Sequence, residues 1–148
     1  MDHPNRSVAN HCRLILEKIP SCSLVPFWVD LLDDEGEGNQ QSALAGLRNL
    51  VDACQGEVDV DLLKPKLFEV LANSDQARSQ YDTAFILIRL GITTDDLPDV
   101  VNALDRNPTA PAVWTLLGEL GPAAVPAIPR IVEAHTETLR DSTLTTKT

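Results

Sequence analysis

Four stretches of the chain align on a proline and repeat one pattern of apolar and polar positions. They are Pro26-Phe27-Trp28-Val29-Asp30-Leu31-Leu32, Pro65-Lys66-Leu67-Phe68-Glu69-Val70-Leu71, Pro98-Asp99-Val100-Val101-Asn102-Ala103-Leu104 and Pro126-Ala127-Ile128-Pro129-Arg130-Ile131-Val132. Counted from the proline, positions +2, +5 and +6 are always apolar, while +4 is always polar: Asp30, Glu69, Asn102, Arg130. Residues at +2, +5 and +6 form one stripe of a 3.6-residue helix, and +4 lies on the flank that meets solvent. Proline is tolerated where the first helical amides have no partner, so each block is expected to open a helix. The prolines stand 39, 33 and 28 residues apart, a spacing that suits two-helix repeat units.

A further amphipathic segment precedes each block. Val8, Cys12, Ile15, Leu16 and Ile19 form the first, and Ala43, Leu44, Leu47, Leu50 and Val51 the second. Ala84 to Leu90 is apolar almost all round, as in a helix buried between neighbours, and Val113, Trp114, Leu116, Leu117 and Leu120 make the fourth. Gly91 and Gly121 follow the last apolar residue of their helices, where a C-cap favours glycine. Thr94-Asp95-Asp96 places a cap and two carboxylates before Pro98, and Ser23 with Asp59 or Asp61 can cap other helices. No segment alternates with period two, so no sheet is expected. The predicted fold is all-α, with eight helices in four antiparallel pairs over residues 1–135. Residues 136–148, rich in threonine, are expected to form a flexible tail.

The segment Leu117-Gly118-Glu119-Leu120-Gly121-Pro122-Ala123-Ala124-Val125-Pro126-Ala127-Ile128 resembles the junction of a HEAT repeat of the short bacterial kind. The resemblance is carried most fully by residues 109–135, then by 75–105, and before residue 73 by the proline block and leucine spacing alone. It implies an α-solenoid whose second helices line a concave surface, and a protein-binding scaffold. One branch of the family is similar to the lyases that attach bilins. The chain lacks the regular Asp and Arg ladder that joins adjacent repeats in that family.

Composition narrows the functional classes. Of 148 residues, 43% are hydrophobic and 23% charged, and 22 acidic against 12 basic side chains give a net charge of −10. Such a balance disfavours binding to a nucleic-acid backbone, which depends on Lys and Arg. No apolar run spans a bilayer and no signal-peptide pattern opens the chain, so no membrane partner is expected. Cys12, Cys22 and Cys54 are too few for a disulfide framework, and a reducing cytoplasm is the expected location.

Motifs for chemistry are incomplete. Asp33, Glu35, Glu37 and Gly38 match the opening of a twelve-residue calcium loop, but its closing Glu is replaced by Leu44. No Cys-x-x-Cys or His-x-x-x-His pair suggests zinc. His3, His11 and His135 sit without a companion nucleophile in sequence, and Gly36-Glu37-Gly38 lacks the rest of a dinucleotide loop. The chain is therefore expected to have no catalytic residues, cofactor or metal. Trp28 aligns with Leu67, Val100 and Ile128 and belongs to the core, whereas Phe27 occupies the +1 column and is a candidate contact residue. If second helices line a concave face, Phe27, Asp30, Asp33, Asp34, Lys66, Glu69, Asp99, Asn102 and Arg130 are its candidate partner-binding residues. An acidic surface can simply keep a protein soluble, or it can steer a basic partner. The leading expectation is a non-enzymatic interaction module for a basic protein. An acidic inhibitor or immunity-type protein that blocks a nuclease or other nucleic-acid-binding protein is the alternative, and a bilin-lyase-like protein is third.

Overall fold

A computed structural model describes residues 4–34 and 37–145, and every described element is helical. In order these are α1 (Pro4–Leu16), α2 (Val25–Leu31), α3 (Glu37–Leu50), α4 (Val60–Asn73), α5 (Ala77–Leu90), α6 (Leu97–Arg106), α7 (Pro111–Leu120) and α8 (Ile128–Thr145). Short 3-10 turns lead into α2, α6 and α8. Each predicted helix is present. No described helix is long and apolar enough to cross a membrane. The chain divides into two compact units, Met1–Lys66 and Leu67–Thr148.

In the first unit α3 packs against both α1 and α2. The approach of α2 to α3 is close because residue 46 is glycine: a Cβ there would stand 2.3 Å from the Trp28 ring. Trp28 is wholly buried with Leu44, Leu47 and Leu63, so the +2 position of this block is core as its pattern predicts. Helix α1 behaves differently. It forms, but Val8, Ile15 and Ile19 on its apolar stripe are exposed, and only Leu16 is half-buried.

The unit also holds a disulfide between Cys22 and Cys54, with Cα atoms 5.4 Å apart, leaving Cys12 as the free thiol. This departs from the expectation that all three cysteines stay reduced. The pair is 32 positions apart in sequence and is brought together through α2 and α3, a proximity that linear spacing does not reveal.

In the second unit α5 packs on α7, and α6 packs on α7 and α8. Leu67, Leu71, Ile86, Leu87, Val100, Leu104, Val113 and Leu116 are fully buried. Gly91 and Gly121 both adopt positive φ, at 88° and 52°, which glycine accepts without a Cβ clash. They end α5 and α7 as the punctuation predicts. Asn107 closes another end: its Nδ2 donates to the carbonyls of Leu71 and Ala72, at 3.2 and 2.9 Å, satisfying acceptors that the last turn of α4 leaves open.

Two local expectations need correction. Pro65 lies inside its helix and Pro126 ahead of its own, whereas Pro26 and Pro98 do open theirs, at the second α-helical position, with one tighter turn in front. That turn is the 3-10 segment Cys22–Leu24 before α2 and Thr94–Asp96 before α6, while α4 already begins at Val60 and is capped by Asp59, which accepts from the Leu62 amide at 3.2 Å. In the fourth block, prolines 122 and 126 hold Gly121–Ala127 in a 3-10 segment, and α8 starts only at Ile128. Pro129, not Pro126, therefore occupies the second helical position held by Pro26 in α2 and Pro98 in α6. Ile128 and Val132 are consequently exposed rather than core, and Ala134 is buried instead.

In the threonine-rich segment α8 continues through Thr145, and residues 146–148 lie outside the described chain. Thr136 and Thr138 donate their hydroxyls to Val132 and Ala134 carbonyls, at 2.8 and 2.9 Å, so these side chains bond back along the helix instead of competing with it.

Candidate partner-binding surface

Positions +1 and +4 are three residues apart, so they fall on one flank of each second helix. Moving the fourth block onto Pro129 makes the +1 column Phe27, Lys66, Asp99 and Arg130, and the +4 column Asp30, Glu69, Asn102 and Glu133. All four +4 residues are exposed. Glu133, and Glu137 one turn later, are acids of the α8 flank that an alignment on Pro126 misses; the signal that finds them is the second proline of the same block, at 129.

In the first unit Phe27 is 39% exposed and its ring meets the edge of Trp28 with centroids 4.8 Å apart. The buried indole thus holds the exposed phenyl ring in place. Asp30, Asp33 and Asp34 are exposed, and Asp33 forms an ion pair with the half-buried Lys66 ammonium. In the second unit Glu69, Asp99 and Asn102 are exposed. Arg130 pairs with Asp105, with Glu133 at 2.9 Å and with Glu137 at 4.0 Å. Its guanidinium is held above its ordinary pKa by the hydrogen bonds it donates to Asp105 and then Glu133, so its charge is permanent but locally matched.

Polar links also join consecutive second helices, despite the missing Asp and Arg ladder. Asp33 pairs with Lys66 in the first unit; Asn73 accepts from Arg106, and Asp105 from Arg130, in the second. The first two of these links have the same sequence separation, 33 residues. The two predicted basic residues are therefore engaged by acids of their own unit. By contrast, no side-chain hydrogen bond or ion pair holds the carboxylates of Asp30, Glu69 or Asp99 among the described residues. The 22 acidic and 12 basic residues of the chain divide equally between the units.

The remaining candidates for chemistry are separated from one another. His11 is exposed on α1 with Nδ1 2.7 Å from the Ser7 carbonyl, and His135 lies edge-on to Trp114 at 6.4 Å. His3 lies outside the described residues, as do Glu35 and Gly36 of the calcium-like loop. From Glu37 onward that motif is helix α3, with Leu44 fully buried, so it cannot wrap an ion as a loop. One group of possible metal donors does converge among the described residues: Cys22, Cys54 and Glu57, whose ligand atoms lie within 4.8 Å of one another. Comparison with protein-family models, with curated proteins and with solved structures finds no match to this chain.

Proposed function

We propose that the chain is a non-enzymatic, HEAT-like helical repeat module that binds a basic protein through the acidic flanks of its second helices. The observation behind this reading is the asymmetry of pairing: Lys66 and Arg130 are neutralised within the molecule, whereas the carboxylates of Asp30, Glu69 and Asp99 are exposed without side-chain partners among the described residues. Carboxylates in that state cost nothing to detach from an existing partner and act on a cationic surface at long range, raising the association rate. Phe27 supplies an apolar contact on the helix that carries Asp30, and aromatic anchors commonly dominate interface energies.

The test begins with affinity capture from the native host, mass spectrometry of the retained protein, and measurement of its affinity at low and high salt. The triple change Asp30→Lys, Glu69→Lys and Asp99→Lys is expected to weaken binding at least roughly tenfold at low salt while leaving helicity by circular dichroism unaltered. Binding that survives the charge reversal with a flat salt response contradicts the proposal. Capture confined to a nuclease or another nucleic-acid-binding protein points instead to an acidic inhibitor.

A further inference from the structure

Cys54 follows the turn after α3, its amide bonded to the Leu50 carbonyl at 2.9 Å, and caps the 3-10 turn Gln55–Glu57. That turn closes when the Glu57 amide donates to the Cys54 carbonyl at 3.0 Å, which brings the Glu57 carboxylate back beside the Cys54 sulfur. Cys54 and Glu57 thus stand in a Cys-x-x-ligand arrangement, the spacing in which one turn delivers two donors to a tetrahedral ion. Cys22 reaches the same point from the turn before α2, and all three donor atoms lie within 4.8 Å of one another. We propose that Cys22, Cys54 and Glu57 form a redox-gated site for a thiophilic divalent cation of the zinc class, closed as the disulfide and opened by reduction.

The geometry requires little movement. Zinc binds thiolate at about 2.3 Å and carboxylate oxygen at about 2.0–2.2 Å, so tetrahedral ligands stand roughly 3.5–3.8 Å apart. Backbones whose Cα atoms are 5.4 Å apart can present two sulfurs at that separation by side-chain rotation alone. Three protein ligands leave the fourth position to water, and the exposure of Glu57 with the half-burial of Cys22 gives solvent access. A small dithiol or phosphine reductant supplies two electrons to the sulfur–sulfur bond. The two sulfurs become thiols, and the reductant leaves as a cyclic disulfide or, after taking an oxygen from water, a phosphine oxide. Each thiol then gives its proton to solvent on ligation, so one divalent cation displaces two protons. Oxidation by a disulfide such as that of glutathione expels the ion and restores the bond through thiol exchange.

The experiment uses the full chain in a Cys12→Ser background, which removes the exposed third thiol. Cobalt(II) is added to protein reduced by a phosphine and to oxidised protein. The reduced form is expected to take up one cobalt per chain with thiolate-to-cobalt charge-transfer absorption, displaced by zinc, and the oxidised form none. Glu57→Gln should lower cobalt affinity tenfold or more while leaving disulfide formation and helicity intact, and Cys22→Ser should abolish the charge-transfer band. Reduced protein that takes up no cobalt, oxidised protein that takes up as much, or full affinity in Glu57→Gln overturns the site. So does a reduced chain that loses its helicity and does not regain it with zinc.

Discussion

At position 46 a single hydrogen atom decides whether α2 can lie on α3. A methyl group there meets three atoms of the Trp28 ring at 2.3 to 2.6 Å, well inside contact distance, and the ring is fully buried with nowhere to retreat. Gly46→Ala is therefore expected to destabilise the first unit by about 1–3 kcal/mol, the usual range for overpacking, read as a lower urea midpoint with an unchanged slope. Adding Trp28→Leu should return part of that loss, because the pair interacts directly and a double-mutant cycle will show coupling. The tryptophan's core position was legible from its +2 column. The demand on Gly46 was not, because it depends on which residue of α3 faces the ring, and no local pattern encodes that. A similar limit applies to Cys22 and Cys54: each residue is visible, but their encounter is a product of the fold.

Helices were the most readable level, since a 3.6-residue stripe, a capping carboxylate and a terminal glycine are all local signals. Each predicted helix exists, and Asp59, Gly91 and Gly121 punctuate as expected. The fourth block misled because it contains two prolines, and only the three-dimensional path shows that Pro126 belongs to the 3-10 segment while Pro129 enters α8. This shift relocates the candidate surface: Arg130 moves from +4 to +1, and Glu133 takes its place. The second-helix ends carry their own prediction. Asn107 caps two carbonyls of α4 from a position 35 and 36 residues away, so Asn107→Ala should cost about 1–2 kcal/mol by thermal or urea unfolding, close to the loss of two modest hydrogen bonds. Asn107→Asp cannot donate, so it should cost at least as much; recovery to wild-type stability in that variant would show that the amide is not the reason. Exposed hydroxyls such as Thr136, by comparison, bond only to their own helix, and Thr136→Ala should change stability by less than about 0.5 kcal/mol.

For the whole molecule, the disulfide is the largest single constraint outside the cores. It closes a loop with a sequence separation of 32, and the chain-entropy model assigns such a closure about 3–4 kcal/mol through restriction of the unfolded chain. Reduction without added metal should therefore lower the melting temperature of the first unit by several degrees or more, whereas zinc, if the thiolates and Glu57 hold it, should raise it again. What composition could not disclose at this scale is that charge is matched inside each unit at Lys66 and Arg130 yet left open at Asp30, Glu69 and Asp99. Total charge was legible; its pairing required coordinates.

The two indoles of the chain fall one to each unit: Trp28 lies within Met1–Lys66 and Trp114 within Leu67–Thr148. Replacing either by phenylalanine leaves a single indole, which long-wavelength excitation isolates from Tyr81, so that emission from Trp114→Phe follows unfolding around the sulfur bridge alone. Emission from Trp28→Phe follows the half that contains no cysteine. The molecule thus carries its own pair of optical gauges, with which reductant, cation and binding partner can each be assigned to the half they act upon.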